Sequence, residues 1–342
     1  MFDKLKVLCA LPGVSGREHA VREYILKEIL GYAECRVDNL GNIIAFKKGR
    51  QKRDKKLMLA AHMDEVGLII HGADDSGFLK FSAVGGIDAR VLAGRRMMIY
   101  PGKNAEPLPG VIGQKPVHLL ESDEKGKAPN IDGLYIDIGA MNKDEALKAT
   151  PIGSAAVFDG ELMSFGENKN FIKAKALDDR AGCLLMIDII KSEIEFDTWF
   201  VFTVQEEVGA RGAAAAAFSV APDIAVIVEA TTAADISGVN ETESVCNLGG
   251  GPVISFMDGR TVYDAELYDR TFEAAEQAGV PCQPKRAVAG GNDAGAIHMS
   301  GAGVRVMAVS LPCRYLHSPS CVIYAPDYEN TRRLLCELAD TL

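Results

Sequence analysis

The sequence predicts an α/β fold, in which a mainly parallel-sheet domain made of residues 1–66 and 164–342 is interrupted by an inserted all-β, barrel-like domain over 67–163. Three observations carry this reading. Short, continuously apolar runs over 57–61, 199–204 and 224–228 alternate with helical patterns, as in strands buried on both faces and joined by crossover helices. Between 67 and 163 the texture changes to short alternating segments broken by Gly, Pro and Asp, the pattern of a small barrel or sandwich. The length of 342 residues suits two cores better than one.

In chain order, Ser15 and Glu18 stand at capping-box spacing and predict a helix that buries Val21, Tyr24, Ile25 and Ile29. The turn Asn39-Leu40-Gly41-Asn42 predicts a hairpin over 37–46. In the insertion, strands are expected over 68–71, 78–81, 96–100, 117–120 and 134–138. Beyond it come a helix over 180–192, a strand over 198–204, an Ala-rich helix over 210–218 and a strand over 224–228.

Composition removes several function classes. A net charge of -10 argues against a nucleic-acid surface, which needs clustered Lys and Arg. No stretch reaches membrane-spanning length, and residues 1–11 lack the apolar core of a signal peptide. The eight cysteines are scattered with no CxxC pair, which suits free thiols in a reducing compartment, so a cytoplasmic protein with no membrane or nucleic-acid partner is expected.

The residues that carry chemistry follow the apolar runs. His62 and Asp64 lie on one side of an extended segment, where a carboxylate can orient a ligating imidazole. Asp178-Asp179 precedes the helix over 180–192 and, alone, reads as an ordinary acidic helix start. Glu206-Glu207 follows the strand over 198–204 at the carboxyl end of the sheet, where open α/β sheets place their sites; the two charges repel unless a cation compensates them. Glu229 follows 224–228 in the same way, and His317 follows the apolar stretch 304–311. Jointly these are five potential metal ligands plus a spare carboxylate gathered by sheet topology. Cys313, His317 and Cys321 also have a regular spacing open to a structural zinc reading, which Pro312 and Pro319 oppose. Gly249-Gly250-Gly251 reads as a turn, because no Lys-Ser/Thr follows to make a phosphate loop.

Five ordered blocks make the sequence recognisable: Ala61-His62-Met63-Asp64-Glu65-Val66-Gly67, Ala176-Leu177-Asp178-Asp179-Arg180, Gln205-Glu206-Glu207-Val208-Gly209, Gly290-Gly291-Asn292-Asp293-Ala294 and Arg314-Tyr315-Leu316-His317-Ser318-Pro319. Over nearly its whole length the chain resembles the tetrahedral dinuclear-metal aminopeptidases, the family of glutamyl and deblocking aminopeptidases that is in places called endoglucanase-like. The resemblance implies a metallopeptidase with two divalent ions per subunit, zinc or cobalt. By position, His62 and Glu229 would bind one ion, Glu207 and His317 the other, and Asp178 both, with Glu206 as catalytic base and Asp64 supporting catalysis. It further implies a cis peptide between Asp178 and Asp179, short peptide substrates, and a hollow tetrahedral homododecamer built from dimers. Glu229 and Asn292 depart from the family, which more often has Asp and Thr there. A glycoside hydrolase using paired acids, a carboxypeptidase or deacylase on the same centre, and a non-catalytic shell protein remain the alternatives.

Overall fold

The computed structural model describes residues 1–102, 105–122 and 125–342. Its central sheet has eight strands, which run from one edge to the other as Glu34–Val37, Ile43–Lys47, Thr198–Thr203, Leu57–His62, Ile224–Thr232, Arg305–Cys313, Val253–Ile254 and Gln283–Pro284. The four strands from Thr198–Thr203 to Arg305–Cys313 are mutually parallel. Helices cover the sheet, and every residue of Leu57–His62 is buried, which is why that strand reads as a continuous apolar run. Leu177–Lys191 packs on the strands at 57–62 and 224–232, Arg211–Val220 on 198–203, and Ala325–Thr341 on 305–313.

The expected hairpin forms, because Asp38 Oδ1 accepts the backbone N–H groups of Leu40, Gly41 and Asn42 and closes the turn. The Asn42 side chain then ties the turn to the sheet, donating to the Gly212 carbonyl and accepting from the Val204 N–H.

The β-rich segment is a closed six-stranded barrel, ordered Gly67–Ala73, Leu79–Val84, Tyr135–Asp137, Leu108–Gly113, Arg96–Tyr100, Ala155–Phe158. It has its own apolar core, which includes Leu68, Phe81, Ile99, Ile136 and Phe158, separate from the core around the central sheet. Two barrel strands escape the sequence pattern. Leu108–Gly113 is disguised by Pro109 and two glycines, yet a Cβ on Gly110 would lie 2.5 Å from Ile136 Cγ2 and 2.8 Å from Ile99 Cδ1, so close packing demands glycine there. Ala155–Phe158 is short and closes the barrel against Gly67–Ala73 and Arg96–Tyr100.

Two expectations are corrected. The strand expected over 117–120 is a 3-10 turn, Val117–Leu119, opened by Pro116; Val117 and Leu119 are both exposed, so their alternation reflects no buried face. The Ser15/Glu18 capping box does not form. The helix His19–Ile29 begins without a side-chain cap, while the Ser15 hydroxyl donates to Asp64 and Glu18 accepts the N–H groups of Gly16 and Gln205. Both side chains are drawn toward the carboxyl end of the sheet, a long-range competition that spacing cannot reveal. Tyr24 is only half-buried.

Beneath that sheet end lies a buried ion cluster. Glu65 accepts Lys175 Nζ at 2.8 Å on both oxygens and Arg180 at 3.2 Å, and Arg180, fully buried, also donates to the carbonyls of Leu8, Leu11 and Met63. Burial pushes the Lys175 ammonium down from its ordinary pKa while Glu65 opposes the shift. Removing the one anion leaves two buried cations without compensation, so Glu65→Leu should destabilise the fold by about 3–5 kcal/mol. Urea denaturation followed by tryptophan fluorescence checks this, and an unchanged midpoint contradicts it.

Candidate metal centre

Register brings the expected residues together. Thr203 pairs with His62 across the parallel ladder, Ile227 with Ala60, and Glu229 with Ser310. Continuing the ladder from Ile227 by two residues sets Glu229 level with His62, so residues of four strands stand in one row and face the same side. Glu206 and Glu207 follow within four residues of the end of one of these strands, and His317 follows another.

Asp178 and Asp179 sit at the head of Leu177–Lys191 with non-helical backbone angles and are joined by the expected cis peptide. The acidic pair is therefore not a plain helix start. Four non-glycine residues beside the candidate ligands, Ala176, Gln205, Tyr315 and His317, have φ between 53° and 59°. L residues enter this left-handed region at a cost, and it is held here by surrounding contacts.

Two side-chain groups result: His62, Asp178 and Glu229, and Asp178, Glu207 and His317, each with its donor atoms within 4.8 Å of one another. His62 Nε2 lies 3.1 Å from Asp178 Oδ1 and 3.5 Å from Glu229 Oε1. His317 Nε2 lies 3.5 Å from Asp178 Oδ2 and 3.3 Å from Glu207 Oε2. The two oxygens of Asp178 thus serve different groups. Ligand bonds of about 2.0–2.2 Å in a tetrahedron give donor separations of about 3.3–3.6 Å, so the nitrogen and oxygen donors are spaced to accept a divalent ion in each group.

Both imidazoles are held by their other nitrogen. His62 Nδ1 lies 3.1 Å from the Asp64 carbonyl and 3.4 Å from Asp64 Oδ1, and His317 Nδ1 lies 2.6 Å from the Gly86 carbonyl. A proton on each Nδ1 leaves each Nε2 free as a donor to metal. Asp64 belongs to neither group and works as an organiser: its carboxylate also accepts the Ser15 hydroxyl at 2.6 Å and the N–H groups of Glu206 at 2.9 Å and Glu207 at 3.1 Å.

The electrostatics fit a cation site. Burial, reinforced by neighbouring acids, pushes Glu206 up to about 10, and Glu207 and Glu229 each up to about 8. Asp178 is held below its ordinary range, since hydrogen bonds from His317 and His62 outweigh its burial. His317 is raised to about 10: burial opposes the shift, but Asp178 and Glu207 favour the charged ring. So many buried acids around two imidazoles favour either protonation or added positive charge, and divalent ions supply the latter.

Glu206 stands outside both groups and lines the same cavity, of about 160 Å³, as His62, Asp178, Glu207, Glu229 and His317. Asp293, whose Oδ2 accepts the Thr203 hydroxyl at 2.5 Å, leaves Oδ1 buried without a partner among the described residues, and burial raises the carboxyl to about 6. Asn292 lines the cavity and donates to the Tyr263 hydroxyl.

Sequence reading missed Ser15, Glu18 and Gly86 as supports of the site. Gly85-Gly86 gave a faint signal, a glycine pair after a strand. Gly85 has φ +82°, and a Cβ there would come within 2.7 Å of Val66 Cγ1 and 3.3 Å of Glu207 Cβ. Among the described residues no cysteine joins a candidate metal group; His317 is grouped with Asp178 and Glu207.

Known proteins place the chain. The pattern of the M42 glutamyl aminopeptidase family matches residues 41–334. A relative from Acetivibrio thermocellus named as an aminopeptidase is 42% identical over 98% of each chain. The lysyl aminopeptidase of Pyrococcus furiosus is 31% identical over 100% of this chain and 97% of its own. Among solved structures, the TET1 peptidase of Pyrococcus horikoshii, described as assembling into a tetrahedron or a large octahedral shell, superposes with a TM-score of 0.87 at 35% identity over 99% of both chains. A Thermotoga maritima structure named endoglucanase also superposes, with a TM-score of 0.79 at 36% identity over 98% of this chain and 96% of its own. Matched by the family pattern over 41–334 and by relatives from end to end, the chain belongs to the M42 glutamyl aminopeptidases and is a metal-dependent aminopeptidase, a hydrolase.

Proposed function

We propose that the chain removes N-terminal residues from short peptides at a centre of two divalent ions, one held by His62, Asp178 and Glu229, the other by Asp178, Glu207 and His317. The observation that carries this reading is the division of the Asp178 oxygens between the two groups, 3.1 Å from His62 and 3.5 Å from His317, with Glu206 left outside both. The mixed nitrogen and carboxylate donors suit zinc or cobalt. Ions in these positions supply Lewis acidity toward a water and the scissile carbonyl.

The residues of the chain do the rest. Glu206 Oε takes a proton from the attacking water and delivers it to the departing amine. Asp64 fixes the Glu206 backbone through its N–H and keeps His62 in the tautomer that presents Nε2. Glu207 is engaged with His317, which leaves it unsuited to flank a sugar bond opposite Glu206; this disfavours a glycoside hydrolase.

Residues 1–66 and 164–342 then form the catalytic unit, and 67–163 the inserted β-rich unit that makes subunit contacts. A dodecamer and a tetrahedron or large octahedral shell are named for TET1 structures, which supports a homododecamer of tetrahedral form here; we read it as built from dimers, with active sites facing an inner chamber that admits short peptides. Among the described residues no helix is long and apolar enough to cross a membrane, and a cytoplasmic location suits the free thiols.

Three outcomes are expected. Glu206→Gln retains bound metal and loses about 10²–10⁴-fold in kcat, because the proton carrier is gone while the ligands stay; metal analysis and kinetics on one sample check this, and near-normal kcat sinks the assignment. Asp64→Asn weakens metal affinity or activity by about 10–100-fold, as loss of a ligand's orienting partner does; competition with a chromogenic chelator reads it. Analytical ultracentrifugation should find a dodecamer, and a fully active monomer that trims a peptide and a folded protein with the same N-terminus equally well would refute the chamber.

A further inference from the structure

We propose that Cys313 and Cys321 form an oxidation site: a disulfide between them, made by hydrogen peroxide, shifts the turn that carries His317 and weakens the ion held by Asp178, Glu207 and His317. The inference rests on the two-ion reading above and adds a means of regulating that site. The two cysteines bound the segment 313–321, with His317 at its centre. Arg314 and Val322 exchange both backbone hydrogen bonds across an antiparallel bridge, at 2.9 and 3.0 Å. Cys313 precedes one member of the bridge and Cys321 the other, so their side chains are diagonal neighbours on one face. Both are buried, and their thiols hydrogen-bond to each other.

One of the two sulfurs can be reached. Cys321 lines a small cavity of about 10 Å³, room for one water-sized molecule, together with Asp178, Glu207 and His317. Those three residues also line the metal-centre cavity, so the two spaces adjoin and a small oxidant enters from the site. Cys313 lines neither space. Cys321 therefore reacts first: its sulfur attacks peroxide, an S–O bond forms as the O–O bond breaks, and water leaves with the thiol proton. The Cys313 sulfur then attacks the sulfenic acid, an S–S bond replaces the S–O bond, and a second water leaves with the other thiol proton. The two thiols together lose two electrons, which the peroxide gains.

Closing the bond moves the turn. Diagonal neighbours on an antiparallel pair lie about 7–8 Å apart, whereas a disulfide holds its Cα atoms at about 4.4–6.8 Å, so oxidation draws the ends of the segment together. It also removes the S–H group of Cys321, which reaches the Tyr315 carbonyl at 3.5 Å and the Ser318 carbonyl at 3.4 Å. These carbonyls belong to the turn in which Tyr315 and His317 are held at φ 59° and 57°. Left-handed backbone persists only while its contacts hold it, so His317 loses its alignment with Asp178 and Glu207. His62 and Glu229 stand on other strands and keep their places.

The experiment uses the full-length, zinc-loaded enzyme, treated with hydrogen peroxide, alkylated and digested with trypsin without reduction. Cleavage after Arg305, Arg314 and Arg332 puts Cys313 and Cys321 on separate peptides, 306–314 and 315–332. Mass spectrometry should find these two peptides joined. Competition with a chromogenic chelator should show one of the two zinc affinities lowered by about 10–100-fold and restored by dithiothreitol. Cys321→Ser, whose hydroxyl still donates to the two carbonyls, should give no joined peptides and no change in either affinity on oxidation. Cys321→Ala serves if the serine variant folds poorly, since the reading is the change on oxidation and not the starting affinity. Absence of the joined peptides, or joined peptides with both affinities unchanged, overturns the inference while leaving the peptidase standing. A fall that persists in the Cys321 variants overturns it too, by placing the oxidation elsewhere. A reduced wild type that binds fewer than two ions overturns the two-ion reading and the switch with it.

Discussion

The site hangs on the carboxylate of Asp64. Fully buried, it accepts the Ser15 hydroxyl and the backbone N–H groups of Glu206 and Glu207, and it faces Nδ1 of His62. One anion thereby links the end of strand Leu57–His62, the loop after strand Thr198–Thr203 and the segment that precedes the helix His19–Ile29. Such a network is worth having only when every member is satisfied, since an unpaired carboxylate in this position would be destabilising. Its position fixes where Glu206 and Glu207 begin, and so which of the two carboxylates meets His317 and which stays free in the cavity.

Around that anchor the protein concentrates negative charge that it does not neutralise with its own cations. Lys175 and Arg180 are committed to Glu65 and the chain's carbonyls below the sheet end, and stabilise the scaffold there. Above, among the described residues, Asp178, Glu207 and Glu229 meet only the imidazoles of His62 and His317 within ion-pair distance, and Glu206 and Asp293 lie beside them without an ion-pair partner at that distance. This separation of a satisfied ion cluster from an acid-rich cavity is what a divalent metal site needs: a rigid base, and a field that favours added positive charge.

The barrel is part of the site as well as an insertion into the fold. Gly86, directly after the barrel strand Leu79–Val84, supplies the carbonyl that orients His317, and Gly85 lets the backbone pass close to Val66 and Glu207. A displacement of the barrel relative to the central sheet would therefore rotate His317. The second ligand group depends on packing between two separate apolar cores, whereas the first, built on neighbouring strands and the helix Leu177–Lys191, depends on the central sheet.

The sequence by itself determined the α/β class, the change of texture at the barrel, and the residues His62, Asp178, Glu206, Glu207, Glu229 and His317 as candidates, because apolar runs mark buried strands and their polar followers mark strand ends. Register then made Glu229 and His62 neighbours, a matter of pairing between segments 167 residues apart. Tertiary structure alone decided what local patterns misread. Ser15 and Glu18 have the spacing of a helix cap but bond to Asp64 and Gln205, and Val117 and Leu119 alternate like a strand but meet no core. Leu108–Gly113, with a proline and two glycines, is a strand because its neighbours leave room for nothing larger at Gly110. Ser15, Glu18 and the strand Leu108–Gly113 found partners far along the chain that outcompeted the local ones, whereas Val117–Leu119 found none and stayed a local turn; spacing within one segment carries no information about either outcome.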